Sequence, residues 1–331
     1  MSDRDCLRLA TRGSPLALWQ AHRIAALLER AGTASSLVVV ETGGDRRVDV
    51  PLDRLGGQGV FVKEVQAAVV HGDADAAVHS AKDLPASPGL AVPGLVLASV
   101  PERADPRDLL VGGSIDSLPT GSLVATGSAR RRAQLANLRP DLTFTGLRGN
   151  LATRLAAVGV GRVAAVLVAK AAVDRLGWVP PKGVPVEVLE PVTMLPQVGQ
   201  GAIAVECRAD DAGTLNALGA IDDPVAAPLV AAERAFLAAL GGGCTLPVGA
   251  YASWVEGAPV RDADSPMRLA GMLASPDGLV VLRHEQVGRR HEALGAAVAR
   301  YLIDDAGGGD LGDWAPGPGE VEPGGGGREA G

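Results

Sequence analysis

Residues 7–12, Leu-Arg-Leu-Ala-Thr-Arg, alternate with the two-residue period of a half-buried strand and run into Gly13-Ser14-Pro15. Apolar positions then recur with helical period from Leu16 to Ala31, with Ser14 suited to the N-cap and Pro15 to the first turn. The pattern predicts strand, tight turn, helix. A second strand is expected over Ser36–Thr42, followed by a glycine- and charge-rich loop from Gly43 to Arg54. Gly56-Gly57-Gln58-Gly59 leads into a helix from about Val60 to Val70. A third strand, Ala74–Ser80, delivers His79, Ser80, Lys82 and Asp83 to its C-terminal end before Pro85 stops regular structure. Residues 94–100 read as another strand and Pro101–Arg107 as a charged connector.

The pattern then starts afresh. Leu123–Thr126 reads as a strand, Gly127-Ser128 as a turn, and Ala129–Leu138 as a helix with Arg130, Arg131 and Arg132 in its first turn. Leu142–Leu147 leads through Arg148-Gly149-Asn150 into the helix Leu151–Val158, which carries Arg154. Val163–Ala169 is a nearly continuous apolar strand, typical of the centre of a parallel sheet, and a short helix to Leu176 bears Arg175. After Pro191–Gly201, a strand Ala202–Cys207 and a helix Asp211–Ile221 are short for a domain of their own, so the chain is expected to cross back and complete the first. Asp222–Leu240 predicts a long helix. Val248–Trp254 and Arg268–Glu285 predict antiparallel strands, the latter turning at Ser275-Pro276-Asp277-Gly278, and Arg290–Ile303 a closing helix. Alternating strands and helices predict open, mainly parallel sheets. The expected organisation is one α/β domain from 1–100 with 200–219, a second from 104–195, and a small α+β domain from 222–305. Residues 306–331 hold 11 glycines and three prolines in 26 positions and are expected to be a disordered tail.

Composition narrows the function classes. The 331 residues are 47% hydrophobic and 21% charged, which is globular. No apolar run is long enough to span a bilayer and the first residues lack a signal-peptide pattern, so no membrane partner and a cytoplasmic location are expected. A net charge of -7 argues against a nucleic-acid partner. Cysteines at 6, 207 and 244 imply neither disulfides nor zinc, and the five histidines form no metal motif. Four of the 31 basic residues are lysine, leaving 27 arginines, and their placement carries more than their number.

Three times an expected strand ends in a turn where arginine stands beside a Ser, Gly or Asn that opens a helix: at 11–14, 126–131 and 148–150. Helix N-termini attract anions, and arginine adds a planar fork matched to carboxylate or phosphate. In open α/β sheets ligands lie outside the strand C-terminal ends, where these turns fall. A ligand with several acidic groups fits. Neither GxGxxG after the first strand nor GxxxxGK[ST] is present. Asp83, beside Lys82, reads equally as a general acid or base and as a turn residue; His79 reads as structural. Cys244 lies in Leu240-Gly-Gly-Gly-Cys-Thr-Leu-Pro247, either a reachable thiol on a loop or a small buried hydrophobe after a long C-cap. Two lobes with anion-binding helix starts also fit a periplasmic-type solute receptor or a sensor domain, neither of which needs that cysteine.

The chain resembles the porphobilinogen deaminase (hydroxymethylbilane synthase) family. The matching stretches are Leu9-Ala-Thr-Arg-Gly-Ser-Pro-Leu-Ala-Leu-Trp-Gln-Ala21, Gly56-Gly-Gln-Gly-Val-Phe-Val-Lys-Glu64, Ala77-Val-His-Ser-Ala-Lys-Asp-Leu-Pro85, Arg130-Arg131, Leu147-Arg-Gly-Asn150, Val198-Gly-Gln-Gly-Ala202 and Leu240-Gly-Gly-Gly-Cys-Thr-Leu-Pro-Val-Gly-Ala-Tyr251. They run in family order over residues 7 to about 303; Gln58, Ala81, Gly127, Lys170 and Ala172 depart from the usual pattern. The resemblance implies two periplasmic-binding-protein-like α/β domains plus a small C-terminal α+β domain. It implies a transferase of tetrapyrrole (haem) biosynthesis, acting as a monomer, that condenses four porphobilinogens head to tail with loss of ammonia and releases linear hydroxymethylbilane. By the same resemblance Cys244 carries a dipyrromethane cofactor through a thioether, with Lys82, Ser128, Arg130 and Arg131 as cofactor contacts. Arg12, Ser14, Arg148, Arg154, Arg175 and Gln200 are the implied substrate contacts. Asp83 is the implied catalytic residue, stabilising an azafulvene cation as ammonia leaves. Porphobilinogen carries an acetate and a propionate, which accounts for the arginines.

Overall fold

The computed structural model describes residues 6–41, 62–147, 149–241, 247–257 and 265–311. The first unit contains β1 (Leu7–Arg12), α1 (Pro15–Arg30), β2 (Ser35–Val40), α2 (Lys63–Val70), β3 (Ala76–Ser80), a 3-10 turn at Ala81–Asp83 and β4 (Leu95–Ser99). The second contains β5 (Asp108–Val111), β6 (Leu123–Ala125), α3 (Ala129–Leu138), β7 (Thr143–Thr145), α4 (Leu151–Gly159), β8 (Ala165–Ala169), α5 (Lys170–Arg175) and β9 (Val186–Leu189). There follow β10 (Ile203–Arg208), α6 (Ala212–Gly219), α7 (Ala226–Ala239), β11 (Val248–Trp254), β12 (Met267–Ala274), β13 (Val281–Gly288) and α8 (His291–Arg300). They form sheets of order β2-β1-β3-β10-β4, β7-β6-β8-β5-β9 and β11-β12-β13.

Local chemistry explains the first layer. Ser14 Oγ accepts from Ala17 N at 3.3 Å and Pro15 occupies the first helical turn, so α1 starts directly after β1. Its buried face, Gln20, Ala21, Ile24 and Leu28, has helical spacing. The apolar members pack on Leu9, Val78, Ile203 and Val205 of the sheet. In the second layer all five residues of β8 are buried, as a strand covered on both faces requires. The third layer closes on fully buried Phe236 of α7, packed with Leu269, Leu273, Val298 and Leu302; that side chain alone stabilises by about 1.5–3 kcal/mol.

One strand in each large sheet runs against the rest, and both place chemistry at the site edge. β10 pairs antiparallel with β3, Ile203 opposite Ser80, which brings residues 199–202 to the edge where β1 and β3 end. β5 pairs antiparallel with β8, Asp108 opposite Ala169, so the first residue of β5 reaches the edge where β6 and β8 end. The segments linking the two sheets form an antiparallel bridge between Arg103 and Ala202, with Ala104 N donating to Gly201 O at 2.9 Å. Gly201 has φ 87°, and a Cβ there would stand 2.3 Å from Ala104 O, so this crossing requires glycine.

Several element bounds differ from the sequence expectation. β5 and β9 lie in stretches given no element in the sequence reading, because four-residue strands flanked by charge or proline give too few periods to register. β7 covers three residues rather than Leu142–Leu147, and α8 ends at Arg300 before a π-turn at Tyr301–Asp305. Part of the expected tail is ordered: Gly308–Leu311 forms a 3-10 turn and Leu311 packs on the third core. Residues 312–331 lie outside the described residues, as do 60–61 of the helix expected from Val60.

Candidate active site

The second sheet's edge is built around one carboxylate. Asp108 is fully buried; its Oδ1 accepts from Arg131 Nε at 3.1 Å, Arg131 Nη2 at 2.8 Å and Gln200 Nε2 at 2.8 Å. Its Oδ2 lies 2.9 Å from Arg130 Nη2. Burial alone would raise the Asp108 pKa, but the charges of Arg130 and Arg131, with the Arg131 and Gln200 hydrogen bonds, outweigh it and hold the carboxyl far below its usual range. Both arginines stand in the first turn of α3, whose N-cap Ser128 accepts from Arg131 N at 3.4 Å. That bond uses the hydroxyl as acceptor and leaves its proton available to an anion.

Arg130 Nη1 donates to Leu195 O and Nη2 is taken up by the Asp108 ion pair, while its Nε is buried without a hydrogen-bond partner among the described residues. Arg175 is similar: Nη2 donates to Gly201 O at 2.7 Å, the guanidinium lies 5.3 Å from the Trp19 ring centroid, and among the described residues Nε has no hydrogen-bond partner. Burial lowers the pKa of both, against the opposing pull of Asp108 on Arg130 and of Glu102 on Arg175. Buried guanidinium donors left open are an unusual cost, and an anion removes it.

On the first sheet's edge a small cleft of about 70 Å³ brings Arg12, Ser14, Gln20, Ser80 and Asp83 together. Ser80 exchanges hydrogen bonds with Gln20, and His79 is buried with Nε2 3.2 Å from Glu206 Oε2, behind the exposed Asp83. Half-buried Lys82 links the two edges. Burial, then the charge of Arg131, pushes its pKa down to about 8, with Asp83 and Asp108 pulling the other way. The turn that carries it is fixed by Ala81 N to Ala202 O at 3.0 Å and Gln197 Nε2 to Lys82 O at 3.2 Å.

Models of two porphobilinogen deaminase domains match the chain: the dipyromethane cofactor binding domain over residues 7–216 and the C-terminal domain over 227–304. The chain is 44% identical over 306 residues to the porphobilinogen deaminase of Acidothermus cellulolyticus, covering 90% of this chain and 88% of that one. The chain belongs to the porphobilinogen deaminase family. Its likeness to solved structures is weaker: the periplasmic VFT2 domain of BvgS from Bordetella pertussis has a TM-score of 0.40 at 16% identity, covering 67% of this chain and 88% of that one. YhfZ from Shigella flexneri has a TM-score of 0.36 at 17% identity, covering 70% and 94%.

The residues present fit the family's dipyrromethane cofactor, whose pyrroles carry carboxylates: the open donors of Arg130 and Arg175 are complementary to them. The structure brings Lys82, Asp83, Ser128, Arg130, Arg131 and Gln200 into one electrostatic and hydrogen-bonded group, with Arg12 and Ser14 in the adjoining cleft. Arg154 stays at its own helix start, Nε donating to Gly149 O at 3.0 Å. Arg148 and Cys244 lie outside the described residues. Gln200 is fully buried, and its amide nitrogen donates to Pro106 O at 2.6 Å as well as to Asp108. Sequence reasoning missed Asp108, Trp19 and the buried pair Arg103–Glu233. The last joins the inter-sheet crossing to α7 through Arg103 Nη1 to Glu233 Oε1 at 2.7 Å and Nη2 to Oε2 at 3.1 Å. A charged run ending at Asp108 directly before the apolar Leu109–Val111 was the available signal for the first.

Proposed function

We propose that this chain makes linear hydroxymethylbilane from four molecules of porphobilinogen, releasing one ammonia per condensation, with Asp83 as the catalytic carboxylate. Family membership over nearly the whole chain supports the reaction. The observation that supports the residue assignment is that Asp83 lies beside Arg12, Ser14 and Lys82, on a site where Arg130 Nε and Arg175 Nε are buried without hydrogen-bond partners among the described residues. Bound to Cys244, dipyrromethane supplies a primer that keeps the growing chain tethered and so at high effective concentration.

Arg130, Arg131, Arg175, Lys82 and Ser128 hold carboxylates of the cofactor and lengthening chain, and Arg12, Ser14, Arg148 and Arg154 those of the incoming substrate. Gln200 works through Arg131 and Asp108 rather than on substrate. Asp83 assists proton transfer to the departing amine and stabilises the positive charge left on the substrate pyrrole; a fixed negative charge there acts most strongly where water is scarce. The units 1–100 with 200–219, 104–195 and 222–305 act as three domains of a cytoplasmic monomer. Asp83→Ala is expected to fold, to bind porphobilinogen and to lose about 100-fold or more of turnover, measured as substrate consumed and ammonia released. Near-normal consumption by this variant would refute the role.

A further inference from the structure

The carbonyls around Asp83 are held from two sides. Ala81 O accepts from Leu84 N at 3.3 Å and Lys82 O from Gln197 Nε2 at 3.2 Å, both within the large α/β layers. The next two, Leu84 O and Pro85 O, accept from Arg234 Nη1 at 3.4 Å and Nη2 at 2.9 Å, and Arg234 belongs to α7 of the C-terminal layer. Its neighbour Glu233 is fully buried, bonded to Arg103 and accepting from Gly199 N and Ala252 N, each at 2.8 Å. Successive side chains on a helix diverge by about 100°. α7 therefore grips the inter-sheet crossing with one residue and the Asp83 turn with the next. In sequence the same helix runs on to the Cys244 loop.

Nothing in the reaction outlined above requires a cation at position 234, and among the described residues no carboxylate pairs with it. Burial lowers its pKa, with Glu206 opposing from a distance. A desolvated guanidinium held by two neutral carbonyls adds little net stability, so its service is geometric. Beside it lies a cavity of about 560 Å³ lined by Ala86, Ser99, Ala231, Arg234, Ala235 and His291, among others, large enough to admit a small cation.

We propose that Arg234 is a positioning residue: from the C-terminal domain it fixes the backbone after Asp83 and so registers the catalytic carboxylate against the chain tethered on the same helix's following loop. This rests on Asp83 being the catalytic group. The test uses the cofactor-loaded enzyme with Arg234→Ala, Arg234→Gln and Arg234→Lys, each checked for loading by intact mass, alongside Asp83→Ala. For Arg234→Ala, kcat falls about 10–100-fold, the effect of a roughly 1 Å misplacement, while KM for porphobilinogen changes far less. Gln keeps the stem and one donor and loses less; Lys, a point donor that cannot span two carbonyls, does not restore the rate fully. Methylguanidinium, well below denaturing concentrations, raises kcat of Arg234→Ala and leaves wild type and Asp83→Ala unchanged. Wild-type kcat in Arg234→Ala with an inactive Asp83→Ala overturns this proposal alone. So does a rate loss that methylguanidinium does not relieve and that tracks a lower melting temperature across the three variants. An active Asp83→Ala overturns the reading of the site together with it.

Discussion

Replacing Asp108 by Asn tests the electrostatic centre of the site with almost no change in shape. The amide oxygen still accepts from Arg131 and Gln200, but the nitrogen replacing Oδ2 faces Arg130 Nη2, donor against donor, where the ion pair measures 2.9 Å. Two buried arginines lose their shared counter-charge. Breaking a buried pair from one side costs about 3–5 kcal/mol, because the surviving charge stays desolvated. Urea unfolding of Asp108→Asn in a Cys244→Ser background, which cannot attach cofactor, is expected to show this loss at pH 7. The cofactor-loaded Asp108→Asn loses less, since carboxylates of the bound chain replace part of the missing charge.

The pH dependence is specific. The folded Asp108 pKa is depressed, so its contribution is fully present above the unfolded carboxyl pKa of about 4 and is lost as pH falls through the lower folded value. The difference between Cys244→Ser alone and with Asp108→Asn should be flat from about pH 5 to 8 and shrink only below about 4. A loss under about 1 kcal/mol in both backgrounds, or one that disappears between pH 5 and 8, would refute this account of Asp108.

Other consequences can be measured independently. Lys82, with its pKa lowered to about 8, sheds its charge as pH rises through that value, so binding of a free dipyrromethane bearing the cofactor's carboxylates to Cys244→Ser should weaken about tenfold by pH 9, and Lys82→Met should remove the step. The unfolded chain keeps the proton until about pH 10.4, so the cost of burying this charge, fully present below about pH 8, is progressively relieved and the stability of the unliganded protein rises with pH between those values. Gly201→Ala forces a side chain against Ala104 O at positive φ and should cost at least about 2 kcal/mol in urea unfolding; an unchanged midpoint would contradict the close crossing. Ser128→Ala should lose about 1 kcal/mol from the α3 cap and weaken carboxylate binding as well.

What the sequence made legible was local. β1, β3, β6 and β8 announce themselves by alternation or unbroken apolar runs, and α1, α3 and α4 by Ser14, Ser128 and Asn150, each of which caps its helix. The arginines at those helix starts were readable for the same reason. What answers them in space was not. Asp108 lies 23 residues from Arg131 and 92 from Gln200, and no spacing rule connects them. Its arrival depends on β5 running antiparallel, which a four-residue strand cannot signal. Trp19 fell within the apolar period of α1, yet it lies against Arg175, and nothing in the sequence singled out Arg234 within its helix. The family motifs named the site residues without saying which of them support the others; the buried contacts of Gln200 with Asp108 and Pro106 supply that distinction.

The central claim is that this chain builds its product on a primer attached to Cys244. Intact-protein mass spectrometry of purified wild type and Cys244→Ser tests it directly. The account predicts a wild-type mass raised by a two-pyrrole adduct and an unmodified Cys244→Ser; a folded, soluble wild type at its unmodified mass would contradict it.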